Sequence, residues 1–373
     1  MTNVLISGGA GFMGSHLAHN LAARNYRVTV LDNLSAQIHG ENPPSCSAAE
    51  HYTFLKGDVR SREDWVRALA DQHVVVHFAA ETGTGQSMYQ VERYVDVNVR
   101  GTANLLDILA NETHSVRKML VASSRAIYGE GKYHCTEHQD VYPAARSAAE
   151  MQLGDFAVKC PVCRREASLR PTDEDSKLHP SSVYGISKQS QEQLFMTVGR
   201  SLAIPVVALR YQNVYGPGQS LLNPYTGILS IFSTRIRNRA PISIFEDGSE
   251  SRDFVFIDDV VEATRLAMEH DAANFDVFNV GSGIRTDVLT VARALRSALG
   301  GDCPIEVSGK FRVGDIRHNV ADISKITARL GFAPRVTFAE GIQRFANWVT
   351  TQKTPTDRLE ISIDEMRRRG LYR

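Results

Sequence analysis

"VLISGGAGFMGSHLAHNLAARNYRVTVLD", residues 4–32, decides the fold. It opens on an apolar run suited to a buried strand and turns through Gly8, Gly11 and Gly14. It continues with helical apolar spacing and ends in a second apolar run closed by Asp32. This is a βαβ unit. The GxxGxxG spacing lets the backbone turn sharply, approach a pyrophosphate closely and pack helix on strand, with the phosphates at the helix N-terminus. Asp32, at the end of the second strand, is placed to accept from both hydroxyls of an adenosine ribose and to repel a 2′-phosphate, which favours NAD over NADP. Glycines alone are a weak signal; strand, glycines, helix, strand and acid in this order are a strong one.

Outward from this unit, "YTFLKGDV" (52–59), "VVVHFAA" (74–80), "KMLVASS" (118–124) and "VVALRYQNVYG" (206–216) read as further apolar strands separated by helical stretches. This alternation predicts an α/β fold with a Rossmann-type, doubly wound parallel sheet whose strand carboxyl ends line the ligand crevice. Asp58, just past a strand, has two readings: a partner for an adenine amino group, or the N-cap of the helix beginning near Ser61.

With 373 residues, 43% hydrophobic and 23% charged, the chain can bury the core of one large α/β domain or two lobes. Its 42 basic and 42 acidic residues balance, so no overall field recruits nucleic acid or an anionic membrane, and anion binding falls to local contacts. The first apolar run begins almost at Met1, which argues against a secretory leader. No apolar stretch approaches the about 20 residues that span a bilayer, so the expectation is a cytoplasmic protein. Five cysteines, an odd number, argue against a disulfide framework. In that compartment the sequon Asn111-Glu112-Thr113 is a chance match.

"SSVYGISK", residues 181–188, places Tyr184 and Lys188 on one face of an opening helix. An ammonium beside a phenol favours the phenolate, but bringing a tyrosine from about 10 to neutrality takes about 3 pK units, roughly 4 kcal/mol. The pair therefore serves as a general acid/base only with a further cation beside it, such as an oxidised nicotinamide ring. Alone, the spacing also describes a solvated helix face.

Over about residues 1–350 the chain resembles the extended short-chain dehydrogenase/reductases that act on nucleotide sugars, including 4-epimerases and 4,6-dehydratases. The resemblance rests on "GGAGFMGS", "LDNL", "GDV", "HFAA" (77–80), "NVRGT" (98–102), "SSRAIYG" (123–129), "YGISK", "RYQNVYGP" (210–217) and "RDFVFIDD" (252–259). It implies that Ser124 hydrogen-bonds the reacting sugar oxygen, that Tyr184 is the acid/base, and that Lys188 holds the nicotinamide ribose and lowers the tyrosine's pKa. Further NAD contacts are implied for Phe12, Met13, Asn33, Val59, Ala79, Ala80 and Asn98. Asn213 and Arg252 are implied as diphosphate contacts, with Arg312 a second clamp and Arg317 a helper; a planar guanidinium matches phosphate oxygens bidentately. Each arginine also has a plain surface reading.

The chemistry of the residues agrees with the resemblance. Oxidising a secondary alcohol needs a base on the hydroxyl, a donor fixing that oxygen and a hydride acceptor near the carbon. Dehydratases of the family carry an Asp-Glu pair after the serine, whereas Arg125-Ala126 stands here and neither is an acid or base at neutral pH. The remaining set suffices for a 4-epimerase. "AAETGTGQSMY" and "RPTDEDSKLHPSSVYGISK" are most similar to bacterial dTDP-L-rhamnose 4-epimerases, which make dTDP-6-deoxy-L-talose. Glu81, Thr82, Gln86 and Ser87 would then face the sugar, with Met88 beside its methyl group. The alternatives are UDP-hexose 4-epimerisation, 4-keto reduction or dehydration, and a non-catalytic NAD-binding sensor or scaffold. The family further implies a homodimer, pairing the helices around 90–110 and 184–202.

The expected organisation is a dinucleotide domain over 1–216, a smaller interleaved C-terminal substrate lobe over 217–350 with about 251–285 returning to the sheet, and a peripheral tail over 351–373. "ISIFEDGSESRDFVFIDD" reads as strand, Asp-Gly turn and strand. The gap from Ser124 to Tyr184 is far longer than the family's, so about 131–170 is an insertion. Within it Cys135 and His138, with Cys160 and Cys163, form two close ligand pairs suited to a structural tetrahedral zinc.

Overall fold

The computed structural model describes residues 1–40, 52–223, 225, 227–354 and 356–373. Its central sheet has seven strands: β1 (Asn3–Ser7), β2 (Arg27–Asp32), β3 (Thr53–Lys56), β4 (Val74–His77), β5 (Lys118–Ser124), β6 (Val206–Tyr211) and β7 (Asp276–Val280). Their order in space is β7-β6-β5-β4-β1-β2-β3, and every neighbouring pair is parallel.

Period-two alternation divides the strand side chains between two cores. Val4, Ile6, Val76 and Leu120 pack on one face with the helix Phe12–Ala22, while Leu5, Val75, Met119 and Val121 pack on the other with Phe195 of the helix Val183–Ser201. With both faces covered, the inner strands are mostly apolar, with buried polar residues such as His77, Ser124 and Arg210 toward their carboxyl ends. After β3 the chain crosses back to lay β4 on the far side of β1, and a crevice opens where the winding reverses. Its rim is set by Gly8 N donating to Leu31 O at 2.8 Å and Phe78 N donating to Ser7 O at 2.9 Å.

The smaller lobe is built around the strand Ser251–Phe256, which pairs parallel with Asn213–Tyr215 and antiparallel with Arg285–Asp287. The strand Ile242–Ile244 pairs instead with Ile305–Val307. The Asp-Gly turn therefore closes no hairpin. Buried Asp253 accounts for the different pairing: its carboxylate accepts from the amides of Ser282, Gly283 and Ala321 and draws Ser251–Phe256 away from its sequence neighbour. From that strand the chain returns to the central sheet as the helix Ile257–Glu269 and β7.

Two segments differ in character from the sequence expectation or extend it. The excursion after β5 forms a three-stranded antiparallel sheet, with Tyr133–Cys135 between Gln139–Val141 and Ser168–Leu169, over a small apolar cluster including Tyr133, Val141, Val158 and Ala167. The charge-rich end of the chain is not peripheral. Its helix Leu359–Arg368 turns Ile363 and Met366 inward, and Phe311 and Arg373 exchange backbone hydrogen bonds at 2.9 and 3.0 Å. Polar residues on the helix's outer face hid this inner stripe. No helix among the described residues is long and apolar enough to cross a membrane.

Candidate active site

A single cleft of about 620 Å³ runs from the turn after β1, past the carboxyl ends of β4, β5 and β6, to the smaller lobe. At its first end Gly8 has φ +70°, and a Cβ there would lie 2.6 Å from the Ala79 amide nitrogen. A Cβ on Gly14 would lie 2.4 Å from Gly8 O, so only glycine lets the helix Phe12–Ala22 approach the turn. That helix has no side-chain cap at Gly11, which leaves its first amides facing the cleft, an arrangement that suits a pyrophosphate. Asp32 is 8% exposed at the cleft wall; its oxygens accept from Ala10 N at 3.1 Å and Leu34 N at 2.9 Å and keep lone pairs for a diol. Phe12, Met13, Asn33, Val59, Ala79 and Ala80 also line the cleft. These residues fit a dinucleotide.

Asp58 does not line the cleft. Arg60 binds its carboxylate at 2.8 Å and holds it down to about 2, and Asn33 donates to it at 3.0 Å. Nor is it the N-cap of the next helix: Ser61 fills that role, accepting from Asp64 N. The N-cap reading of Asp58 gives way to Ser61, and the Asp58 carboxylate is paired with Arg60 at the cleft's edge, beside Gly57 and Val59.

At the centre stand Ser124, the last residue of β5, and Tyr184, in the first turn of Val183–Ser201. The helix starts there because Ser182 caps it, accepting from Gly185 N at 3.1 Å. Both line the cleft, and the Ser124 hydroxyl is near enough to act on the phenol. Burial pushes the Tyr184 phenol up, while the Ser124 hydroxyl and the Arg125 guanidinium bring it down. Lys188 is buried in the same cleft, its ammonium donating to Gln191 Oε1 at 2.6 Å, and burial lowers it to about 7. The Arg125 guanidinium is thus a further cation whose field favours the phenolate, beside the Lys188 that the resemblance implied. Burial and the nearby Arg252 lower Arg125 itself to about 10. Sequence reasoning noted Arg125 only as unable to act as an acid; its charge one residue beyond Ser124 was the available signal.

The loop after β4 divides. Glu81, Thr82 and Gln86 line the cleft, with Glu81 held by Arg93 at 2.8 Å and Gln86 paired with Gln37. Ser87 does not face it: its hydroxyl donates to Thr84 O at 2.7 Å and accepts from Tyr184 N at 3.0 Å, anchoring the tyrosine's helix. Asn98 is likewise a brace, fully buried, accepting from Glu81 N and donating to Ser187 Oγ. Met88 is 37% exposed and outside the cleft, whereas Met366, from the C-terminal helix, lines it.

The far end is cationic. Arg252 and Arg312 line it, both bound to Asp315, at 3.2 and 2.6 Å. Asn213 Oδ1 and Arg312 Nε are buried without a hydrogen-bond partner among the described residues, as groups awaiting a ligand would be. Arg317 is not a cleft residue: Glu246 and Asp247 take its guanidinium at 2.7 and 2.6 Å. In the excursion, the ligand atoms of Cys135, His138, Cys160 and Cys163 all lie within 4.8 Å of one another.

A glycine-turn dinucleotide cradle, a serine–tyrosine pair and an arginine-rich anion end in one crevice define a Rossmann-class protein built to bring a dinucleotide against a second anionic ligand. The chain belongs to the NAD dependent epimerase/dehydratase family, whose model matches residues 4–159 and 161–281. It is 37% identical over 353 residues, 94% of its length and 95% of the relative's, to a dTDP-L-rhamnose 4-epimerase of Burkholderia thailandensis. Among solved structures it is similar to the Thermus thermophilus UDP-glucose 4-epimerase in complex with NAD (TM-score 0.75, 28% identity, 94% of this chain and 100% of that one). It is also similar to the Bacillus cereus UDP-glucuronic acid 4-epimerase bound to UDP-glucuronic acid and NAD (TM-score 0.75, 26% identity, 94% and 99%).

Proposed function

We propose that the protein is an NAD-dependent nucleotide-sugar 4-epimerase that interconverts dTDP-L-rhamnose and dTDP-6-deoxy-L-talose. The observation that carries this reading is the Ser124–Tyr184 hydroxyl pair at the centre of one cleft, between the glycine turn and the Arg252/Arg312 end. Gly8, Gly11, Gly14 and Asp32 hold NAD, with Lys188 on the nicotinamide ribose; when bound, NAD supplies reversible hydride transfer at C4. Tyr184 takes the C4 hydroxyl proton as base while Ser124 donates a hydrogen bond to the same oxygen. Arg125 stabilises the phenolate. Arg252, Arg312 and Asn213 hold the diphosphate, so the nucleotide stays fixed while the 4-keto sugar turns over. Tyr184 then returns the proton to the C4 oxygen of the inverted sugar, and no net redox results.

Support for the dTDP-deoxysugar pair comes from the Burkholderia relative. Met366, packed against Gly85, offers an apolar neighbour for a 6-methyl group in the place Met88 was expected to fill. Arg125-Ala126 after the serine argues against dehydration. Val91, Val95 and Ile186, 47%, 44% and 54% exposed on the helices expected to pair, support a homodimer, and four free thiols among the described cysteines support a cytoplasmic setting. The Cys/His cluster is read as a structural zinc site with no part in the chemistry at C4.

The test is incubation with dTDP-L-rhamnose, UDP-glucose or UDP-galactose without added cofactor, followed by proton NMR at C4. Inversion of dTDP-L-rhamnose alone is expected. Inversion of a UDP-hexose instead would replace the substrate, and net reduction would replace the reaction. Tyr184→Phe should lower turnover by about 10²–10⁴-fold while nucleotide-sugar binding persists; full activity in that variant would remove the mechanism.

A further inference from the structure

We propose that Cys135, His138, Cys160 and Cys163 bind one tetrahedral zinc ion, and that this zinc-clipped module positions the substrate-side segment carrying Arg312. Cys135 Sγ lies 3.6 Å from both His138 Nδ1 and Cys163 Sγ, and Cys160 Sγ lies 3.6 Å from His138 Nδ1. A zinc with Zn–S of about 2.3 Å and Zn–N of about 2.0 Å separates its tetrahedral ligand atoms by about 3.5–3.8 Å, so these three distances already match coordination spacing, and the other pairs lie within 4.8 Å. They are too far apart for disulfides, and all three cysteines are free.

The backbone is arranged for thiolates. Cys135 ends one strand of the small sheet and His138 sits in the turn to the next, before Gln139 at φ +58°. Cys160 and Cys163 share a second tight turn closed by Arg164 N donating to Cys160 O at 3.0 Å, with Val162 N directed at Cys160 Sγ at 3.5 Å. The module's own apolar cluster is small, so a metal joining its two turns would supply much of its cohesion.

What the module does follows from where it docks. Between its two turns it sends Arg146 into the smaller lobe. There Arg146 meets both oxygens of Glu246 at 2.7 Å, and donates to Glu130 at 3.2 Å and to Asp315 O at 3.1 Å. Just before Cys160, Phe156 packs with Met151 against Phe311, and Arg317 lies over the Phe156 ring at 5.9 Å. Both anchors grip residues 311–317, the segment that presents Arg312 and Asp315 to the cleft. The ion thus positions binding groups without touching the reacting atoms.

The test begins with elemental analysis of protein purified without a metal-affinity tag, where about one zinc per chain is expected. Cobalt-grown protein should show thiolate-to-cobalt charge-transfer absorption, which a Cys160→Ser/Cys163→Ser variant loses. That variant should also be cut by trypsin within 131–170. Its KM for the nucleotide sugar should rise about tenfold, the effect of about 1.4 kcal/mol of lost binding, with retained NAD and kcat nearly unchanged. If the variant does not fold, chelator-treated wild-type protein serves for the same measurements. Metal-free protein with an uncut module, or iron in place of zinc, overturns the site; zinc loss with unchanged KM overturns the positioning role. The KM arm rests on the epimerase reading, whereas metal content and proteolysis do not, so the two failures are distinguishable.

Discussion

At the scale of the residue, the site turns on which cations act on Tyr184. Lys188 is spaced to reach the phenol while its ammonium donates to Gln191, and the Arg125 guanidinium also lowers the phenol. A cation favours the phenolate and lowers the phenol's pKa; removing it raises that pKa. In Arg125→Ala the acid limb of kcat/KM should therefore move to higher pH. A limb that stays where it was would leave the role to Lys188. The serine, tyrosine and lysine were legible because helix spacing and strand ends are local properties. The supports Ser87 and Asn98 were not: each lies in a loop or helix whose partner is some 90 residues distant, Tyr184 N for one and Ser187 for the other.

Among the elements, the βαβ unit carried the fold, because apolar periodicity, glycine positions and the terminal acid are all written within one short stretch. The hairpin expected around Asp247-Gly248 did not form, since strand pairing there is decided by Asp253 and three distant amides. The C-terminal helix Leu359–Arg368 was hidden by its charge. It sends Ile363 and Met366 into the cleft wall, and Tyr89 and Tyr225 both donate to its Glu365 at 2.9 Å. Truncation after Gln352 should raise KM for the nucleotide sugar about tenfold or more while leaving bound NAD in place, the first being a substrate-side wall and the second a β1–β2 property. An unaltered KM in the truncated protein would contradict the cleft as described.

For the whole molecule, the proposed function puts NAD on the parallel sheet's switch point and the sugar between the sheet and the smaller lobe, while the exposed apolar residues Val91, Val95 and Ile186 lie on the outside. Ile186→Glu should convert a homodimer to a monomer in light scattering, and a wild-type monomer at micromolar concentration would contradict the pairing. The central claim is that C4 is oxidised and reduced within one closed site, with the same hydrogen leaving and returning. Nucleotide sugar deuterated at C4, turned over in ordinary water without added NAD, tests it most directly. The account predicts product inverted at C4 with the deuterium still on that carbon; an inverted product whose label has been replaced by solvent hydrogen would contradict it.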